Sequence, residues 1–122
     1  MQEKEKIRNF TDLIAWKEAH RLCLEIYRVS VLFPTDERYG LVAQIRRASV
    51  SIVSNIAEGF GRRTQAEKNR FFDMAIGSVC EVQSQLLISK DLFYIPTDEF
   101  QKINDQSVTV HKIINGLIQR SI

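Results

Sequence analysis

The chain has 122 residues, 44% of them apolar and 26% charged, with only five Gly and two Pro, a composition that fits one soluble globular domain and is too short for two. Its longest apolar runs are three or four residues, as at Val31-Leu32-Phe33, which excludes a membrane span of roughly 20 apolar residues and a signal-peptide core and points to a cytoplasmic protein. The net charge of +2 is too small to name a partner, but seven basic residues against four acidic ones between positions 35 and 70 concentrate the excess where a field can form.

After a charged leader, 1–10, expected to fray, Thr11 offers an N-cap hydroxyl and Asp12 a first-turn carboxylate. A first helix is expected at about 11–32, with Leu13, Trp16, Ala19, Leu22, Cys23, Ile26, Tyr27 and Val29 on one face. Pro34 ends it. Thr35, with Asp36 and Glu37, opens a second helix at about 36–59, closed by Gly59 or Gly61 in a left-handed conformation. Thr64-Gln65-Ala66-Glu67 has the pattern of a capping box and starts the third helix, about 64–94, on the order of 45 Å long at 1.5 Å per residue. The fourth, about 97–121, starts at Thr97 beyond Pro96 and turns Phe100, Ile103, Val110, Ile113, Ile114, Leu117 and Ile118 inward. No alternating pattern suggests a strand, and the short joints force neighbouring helices antiparallel. The expected fold is an all-α, up-down-up-down four-helix bundle occupying the whole chain as one domain.

At 100° per residue, the second and third helices each carry two apolar stripes. In helix 2 these are Leu41, Ile45, Ala48, Ile52, Ile56, and then Val42, Val50, Val53, Ala57, Phe60, with Arg46 among the second set. In helix 3 they are Phe71, Ala75, Val79, Val82, Leu86, Phe93, and then Phe72, Ile76, Cys80, Leu87, Tyr94. Large exposed apolar patches mark interfaces, so the second stripes predict a homo-oligomer whose contacts include Val42, Arg46, Val50, Val53, Phe60, Phe72, Ile76 and Leu87. The competing reading buries both stripes within one bundle. Cys23 and Cys80 lie in apolar patterns without a CxxC and read as buried, reduced thiols.

The patterns that carry chemistry are mostly missing. Di-metal bundles need Glu-x-x-His pairs, whereas His20 lies two residues after Glu18 and His111 has no acidic residue within four positions. Gly59-Phe60-Gly61 lacks the strand, the third Gly and the Gly-Lys-Ser/Thr of a phosphate loop, and no serine sits in GxSxG. The chain is therefore expected to be no enzyme and to need neither metal nor cofactor. What remains is basic: Arg46, Arg47, Arg62, Arg63, Lys68 and Arg70 are the candidate nucleic-acid-binding residues, since guanidinium groups match phosphate oxygens. The alternative is structural, with Arg46 or Arg47 paired to Glu58 or Glu81 across helices or across subunits.

FTDLIAWKEAHRL at 10–22, ERYGL at 37–41, QIRRASVSIVSNIAEGFGR at 44–62 and FFDMAIGSVCEVQSQL at 71–86 resemble the bacterial four-helix bundle family also called 23S rRNA intervening sequence proteins. The likeness is strong from 10 to 94 and weak in the fourth helix. The NIAEG-x-GR run is its most specific part. Val53 departs from it, standing where many members have Pro. The resemblance implies an antiparallel bundle assembled as a ring-like homopentamer, similar in fold to accessory proteins of diversity-generating retroelements that bind nucleic acid and a reverse transcriptase. It singles out Gln44, Arg46, Arg47, Ser51, Asn55, Glu58, Gly59, Arg62, Gly77, Ser78 and Glu81, with Arg47, Ser51, Asn55, Glu58 and Glu81 expected as structural polar groups. The leading expectation is a non-enzymatic, homo-oligomeric RNA- or DNA-binding accessory protein that does not act at a membrane. The alternative is a scaffold for a nucleic-acid-processing enzyme such as a reverse transcriptase, without direct nucleic-acid binding.

Overall fold

The computed structural model describes residues 6–119. Four helices follow one another: α1 (Ile14–Ser30), α2 (Leu41–Phe60), α3 (Gln65–Asp91) and α4 (Thr97–Gln119), with 3-10 turns at Phe10–Asp12 and Thr35–Glu37. The part of the expected fourth helix beyond 119 lies outside the described residues.

Each start has a local cause. Asn9, rather than Thr11, caps the first turn: its side chain accepts from Thr11 N–H, and the Asp12 carboxylate accepts from Arg8 and Asn9 N–H. Those backbone donors hold Asp12 below its ordinary carboxylate range. The expected first helix therefore divides into a capped turn and a helix that starts three residues later than Thr11. The second starts at Leu41 because Thr35–Glu37 forms its own turn and Glu37 Oε1 reaches forward to accept from Leu41 N–H at 3.2 Å. A side chain at Gly40 would put its Cβ 2.8 Å from that oxygen. At α3 the capping box is half made: Thr64 accepts from Glu67 N–H but donates its hydroxyl to the Glu67 carboxylate instead of exchanging backbone bonds.

Side-chain contacts fix the directions. Ser30 meets Arg46 while Cys23 meets Ser49; Gly59 meets Phe72 while Ser51 meets Ser78; Gln83 meets Ser107; and Glu25 meets Lys102 while Arg28 meets Glu99. Where two such contacts join a helix pair, one number rises as the other falls, so those neighbours run antiparallel, and the contacts α1–α2, α2–α3, α3–α4 and α1–α4 close the bundle. Its axis is filled by Leu22, Ile26, Ile52, Ile56, Leu86 and Ile103 among others, all fully buried. Each such side chain contributes roughly 1.5–3 kcal/mol, against roughly 0–1 kcal/mol for a surface ion pair, so the seam and not the charges holds the helices together. No helix among the described residues is long and apolar enough to cross a membrane.

Several faces differ from the periodic reading. Val42 and Phe72, expected at an oligomer contact, are buried within the chain's own core, and Val53 and Ile76 pack against that core. Phe72 takes the inward place, where its ring packs beside Gly59, leaving Phe71 only half-buried. Phe93, expected in the core, is 92% exposed. Helix α3 stops at Asp91, and Phe93 closes it at φ 63° while Tyr94 N–H donates to Ser89 O and Phe93 N–H to Lys90 O. That pattern ordinarily takes glycine. Cys23 is buried as expected, whereas Cys80 faces outward.

Candidate functional site

The six basic candidates divide into two groups. Arg62, Arg63, Lys68 and Arg70 surround the α2–α3 joint, whereas Arg46 and Arg47 lie in the first half of α2. The joint is tight because Gly59 lets α3 come close: a Cβ there would sit 2.6 Å from Cε1 of Phe72 and 3.2 Å from the Lys68 carbonyl oxygen. Neither Gly59 nor Gly61 is left-handed. Gly61 keeps φ at −80° and its N–H donates back to Ala57 and Glu58 carbonyls, so the expected left-handed closure is replaced by an ordinary last turn.

Two of the four cations around the joint have local partners. Arg62 donates to Glu58 Oε2 at 2.9 Å and lies 4.4 Å from the centre of the Phe71 ring. Lys68 donates to the Phe60 carbonyl at 2.7 Å, 5.5 Å from that residue's ring. Arg63 and Arg70 are exposed and have no ion pair among the described residues. By the antiparallel order the start of α1 lies at the same end, so exposed Arg8 and Lys17 add to its charge. A leader read as frayed hides Arg8; the Asn9-x-x-Asp12 pattern is the signal that this turn is ordered.

Arg46 is committed elsewhere. Its Nε donates to Ser30 Oγ at 2.8 Å, its Nη2 to the Tyr27 carbonyl at 3.4 Å, and the guanidinium stacks 4.7 Å from the Tyr27 ring centre. Within the chain no pairing of Arg46 or Arg47 with Glu58 or Glu81 is made: Glu58 is taken by Arg62, while Arg47 and Glu81 are exposed without an ion pair among the described residues. Ser51 and Asn55 make hydrogen bonds within the chain. The Ser51 hydroxyl lies 2.8 Å from that of Ser78 across the α2–α3 seam, and Asn55 Nδ2 donates to the Ser51 carbonyl at 2.9 Å. Of the outward stripe, Val50 and Leu87 are exposed and Phe60 is half-buried.

Of the histidines, His20 stacks on Trp16 with ring centres 4.8 Å apart, and His111 Nδ1 meets Asn115 at 3.4 Å. Among the described residues no three His, Cys, Asp or Glu side chains are grouped to hold a metal ion.

The profile of the 23S rRNA-intervening sequence protein family matches residues 11–116. The chain belongs to that family. A crystal structure of a protein of unknown function from the S23 ribosomal protein family of Bacteroides thetaiotaomicron has the same fold, with a TM-score of 0.80 at 19% identity over 87% of this chain and 96% of that one. No curated protein matches the sequence. Within the intervening-sequence family match lie all six basic candidates, including the NIAEG-x-GR run that carries Gly59 and Arg62.

Proposed function

We infer that this family member is a non-enzymatic, cytoplasmic, homo-oligomeric accessory protein that binds RNA or DNA through its basic end, with little sequence preference. The observation that carries this reading is the gathering of Arg62, Arg63, Lys68 and Arg70 around one tight joint, three of them, Arg63, Lys68 and Arg70, free of ion pairs among the described residues. Charges clustered on a fixed frame attract a phosphate backbone and release its counterions, whichever bases it carries. Exposed Val50, Met74 and Leu87 on the outer sides of α2 and α3 support self-association. A ring, five-membered by the family resemblance, would repeat the basic end once per subunit.

Fluorescence anisotropy with a labelled single-stranded RNA and a duplex, at increasing salt, tests the reading. Affinity is expected to fall steeply with salt, and Arg63→Ala with Arg70→Ala to weaken binding to every sequence and flatten the salt slope by about one for each phosphate no longer neutralised. Absence of binding at low salt overturns it. Light scattering on the same samples reports subunit number.

The opposite end favours a second reading. Val31, Leu32, Tyr39 and Phe93 are held out to solvent there, as a scaffold contacting a nucleic-acid-processing enzyme requires. A protein that never binds nucleic acid but keeps its oligomeric mass supports this scaffold.

A further inference from the structure

Among the described residues Phe93 is the one non-glycine residue at positive φ, 63°, and its ring is 92% exposed. A bulky side chain rarely takes that conformation, and glycine would close α3 there without strain. Within the chain nothing compensates: the result of the strain is an aromatic ring projected from the apolar end of the bundle. Beside the ring the same turn is hollow. Leu32, Tyr94, Ile95, Pro96 and Thr97 line with Phe93 a depression of about 540 Å³, several times the roughly 150 Å³ that admits a benzene ring. Lys90 and Asp91 complete its rim. Neither has an ion pair among the described residues, and Lys90 rests 4.9 Å from the centre of the Phe100 ring.

A projecting ring and a receiving hollow on one surface, with one acid and one base on the rim, make that surface complementary to itself. In a two-fold contact each residue meets on the other copy the residue that meets it. Each Phe93 then enters the other copy's hollow, and the same rotation sets Lys90 of each copy opposite Asp91 of the other. The apolar area agrees. Phe93 and Tyr39, each about nine-tenths exposed, offer on the order of 300 Å², and Val31, Leu32 and Leu92, each about half or more exposed, add roughly 200 Å². Two copies together bring roughly 1,000 Å² before the polar rim is counted, close to the roughly 1,200 Å² at which stable interfaces begin. A foreign partner would need a ring and a hollow of its own, whereas a second copy carries both. We propose that two copies of this chain dock end to end by a two-fold contact, with Phe93 as its anchor. This contact is separate from the one along the outer sides of α2 and α3 and from nucleic-acid binding. Where the chains already form a ring, it pairs two rings and leaves the basic ends facing outward on both sides.

Sedimentation equilibrium of the full chain over a range of concentrations tests it, with Phe93→Gly as the first variant, because glycine keeps the left-handed turn and removes only the ring. Circular dichroism checks that every variant is folded. The wild-type mass should reach twice that of Phe93→Gly and stop there, since a two-fold contact closes on itself. Leu32→Ser should raise the dissociation constant about a hundredfold, the side chain being lost once from each copy. Lys90→Asp sets acid against acid in both halves of the contact and should halve the mass. Adding Asp91→Lys recreates the opposed charges and should restore the full mass, which recovery from a damaged fold would not do. Equal masses for wild type and Phe93→Gly, growth of mass without limit as concentration rises, or a charge-swapped protein that stays at the halved mass overturns the proposal.

Discussion

Where α2 turns into α3, residues 61–64 reverse the chain and set Arg62, Arg63, Lys68 and Arg70 around a joint pressed close by Gly59, whereas the opposite end needs residues 31–40 and 92–96 and leaves Val31, Leu32, Tyr39 and Phe93 in solvent. Both ends solve the same problem of reversing a helix. The basic end solves it by removing a side chain, so the helices touch and the charges stand on a stiff base. The apolar end solves it by bending the backbone at Phe93, whose ring makes no burial within the chain to offset the strain. Tight packing and surface charge thus coincide at one end, and strain and exposed carbon at the other.

Four substitutions break or sharpen that contrast. Gly59→Ala forces a methyl group into the Phe72 ring and should lower stability by about 2 kcal/mol in urea denaturation; a wild-type midpoint would mean the basic joint is not built on close approach. Phe93→Gly should act oppositely at the other end, raising stability by about 1 kcal/mol as the left-handed strain is relieved. A loss there would show that the exposed ring contributes to the fold.

The third concerns the ion network near the apolar end, where Arg28 and Lys102 hold Glu25 at about 2 against its ordinary 4.5. A carboxylate depressed in the folded state stabilises above its unfolded value, so this contribution is complete above pH 4.5 and disappears as pH falls toward 2. The charges lie near the surface, which limits the effect to about 1 kcal/mol. Glu25→Gln should therefore be less stable at neutral pH and lose less on acidification; parallel pH curves for the two proteins would remove the network from the account. The smallest effect is at Gly77, where an added Cβ meets nothing within 4 Å. Gly77→Ala should stabilise α3 by about 0.5 kcal/mol, the mirror of Gly59 and a check that glycine matters at the joint and not along the helix. Thermal melts resolve it.

Helix number, order and most inward faces are legible because the core residues recur at three- and four-residue spacing from Ala15 to Ile114. The misplaced ones have particular causes. Phe71 and Phe72 both fit that spacing, and only the contact with Gly59 selects Phe72. Phe93 falls in the core by pattern alone because apolar character continues past a terminus set by backbone geometry, and a phenylalanine gives no sign that it will take a left-handed position. The basic cluster is readable from the run of Arg and Lys after Gly59. The fate of Arg46 is not, since its partners Ser30 and Tyr27 lie on another helix.

The reach of Arg46 to the Tyr27 carbonyl has a kinetic meaning. The last carbonyls of a helix have no partner in their own ladder; here that of Tyr27 accepts from the Ser30 hydroxyl of the same turn at 3.2 Å, and Arg46, which donates to both Ser30 Oγ and the Tyr27 carbonyl, joins that pair only when α2 docks. Docking of α2 therefore tightens a final turn of α1 that already has a local cap. Amide hydrogen exchange over that turn should follow global unfolding instead of local fraying, and Arg46→Ala should uncouple the two, turning a cooperative helix end into an independent one.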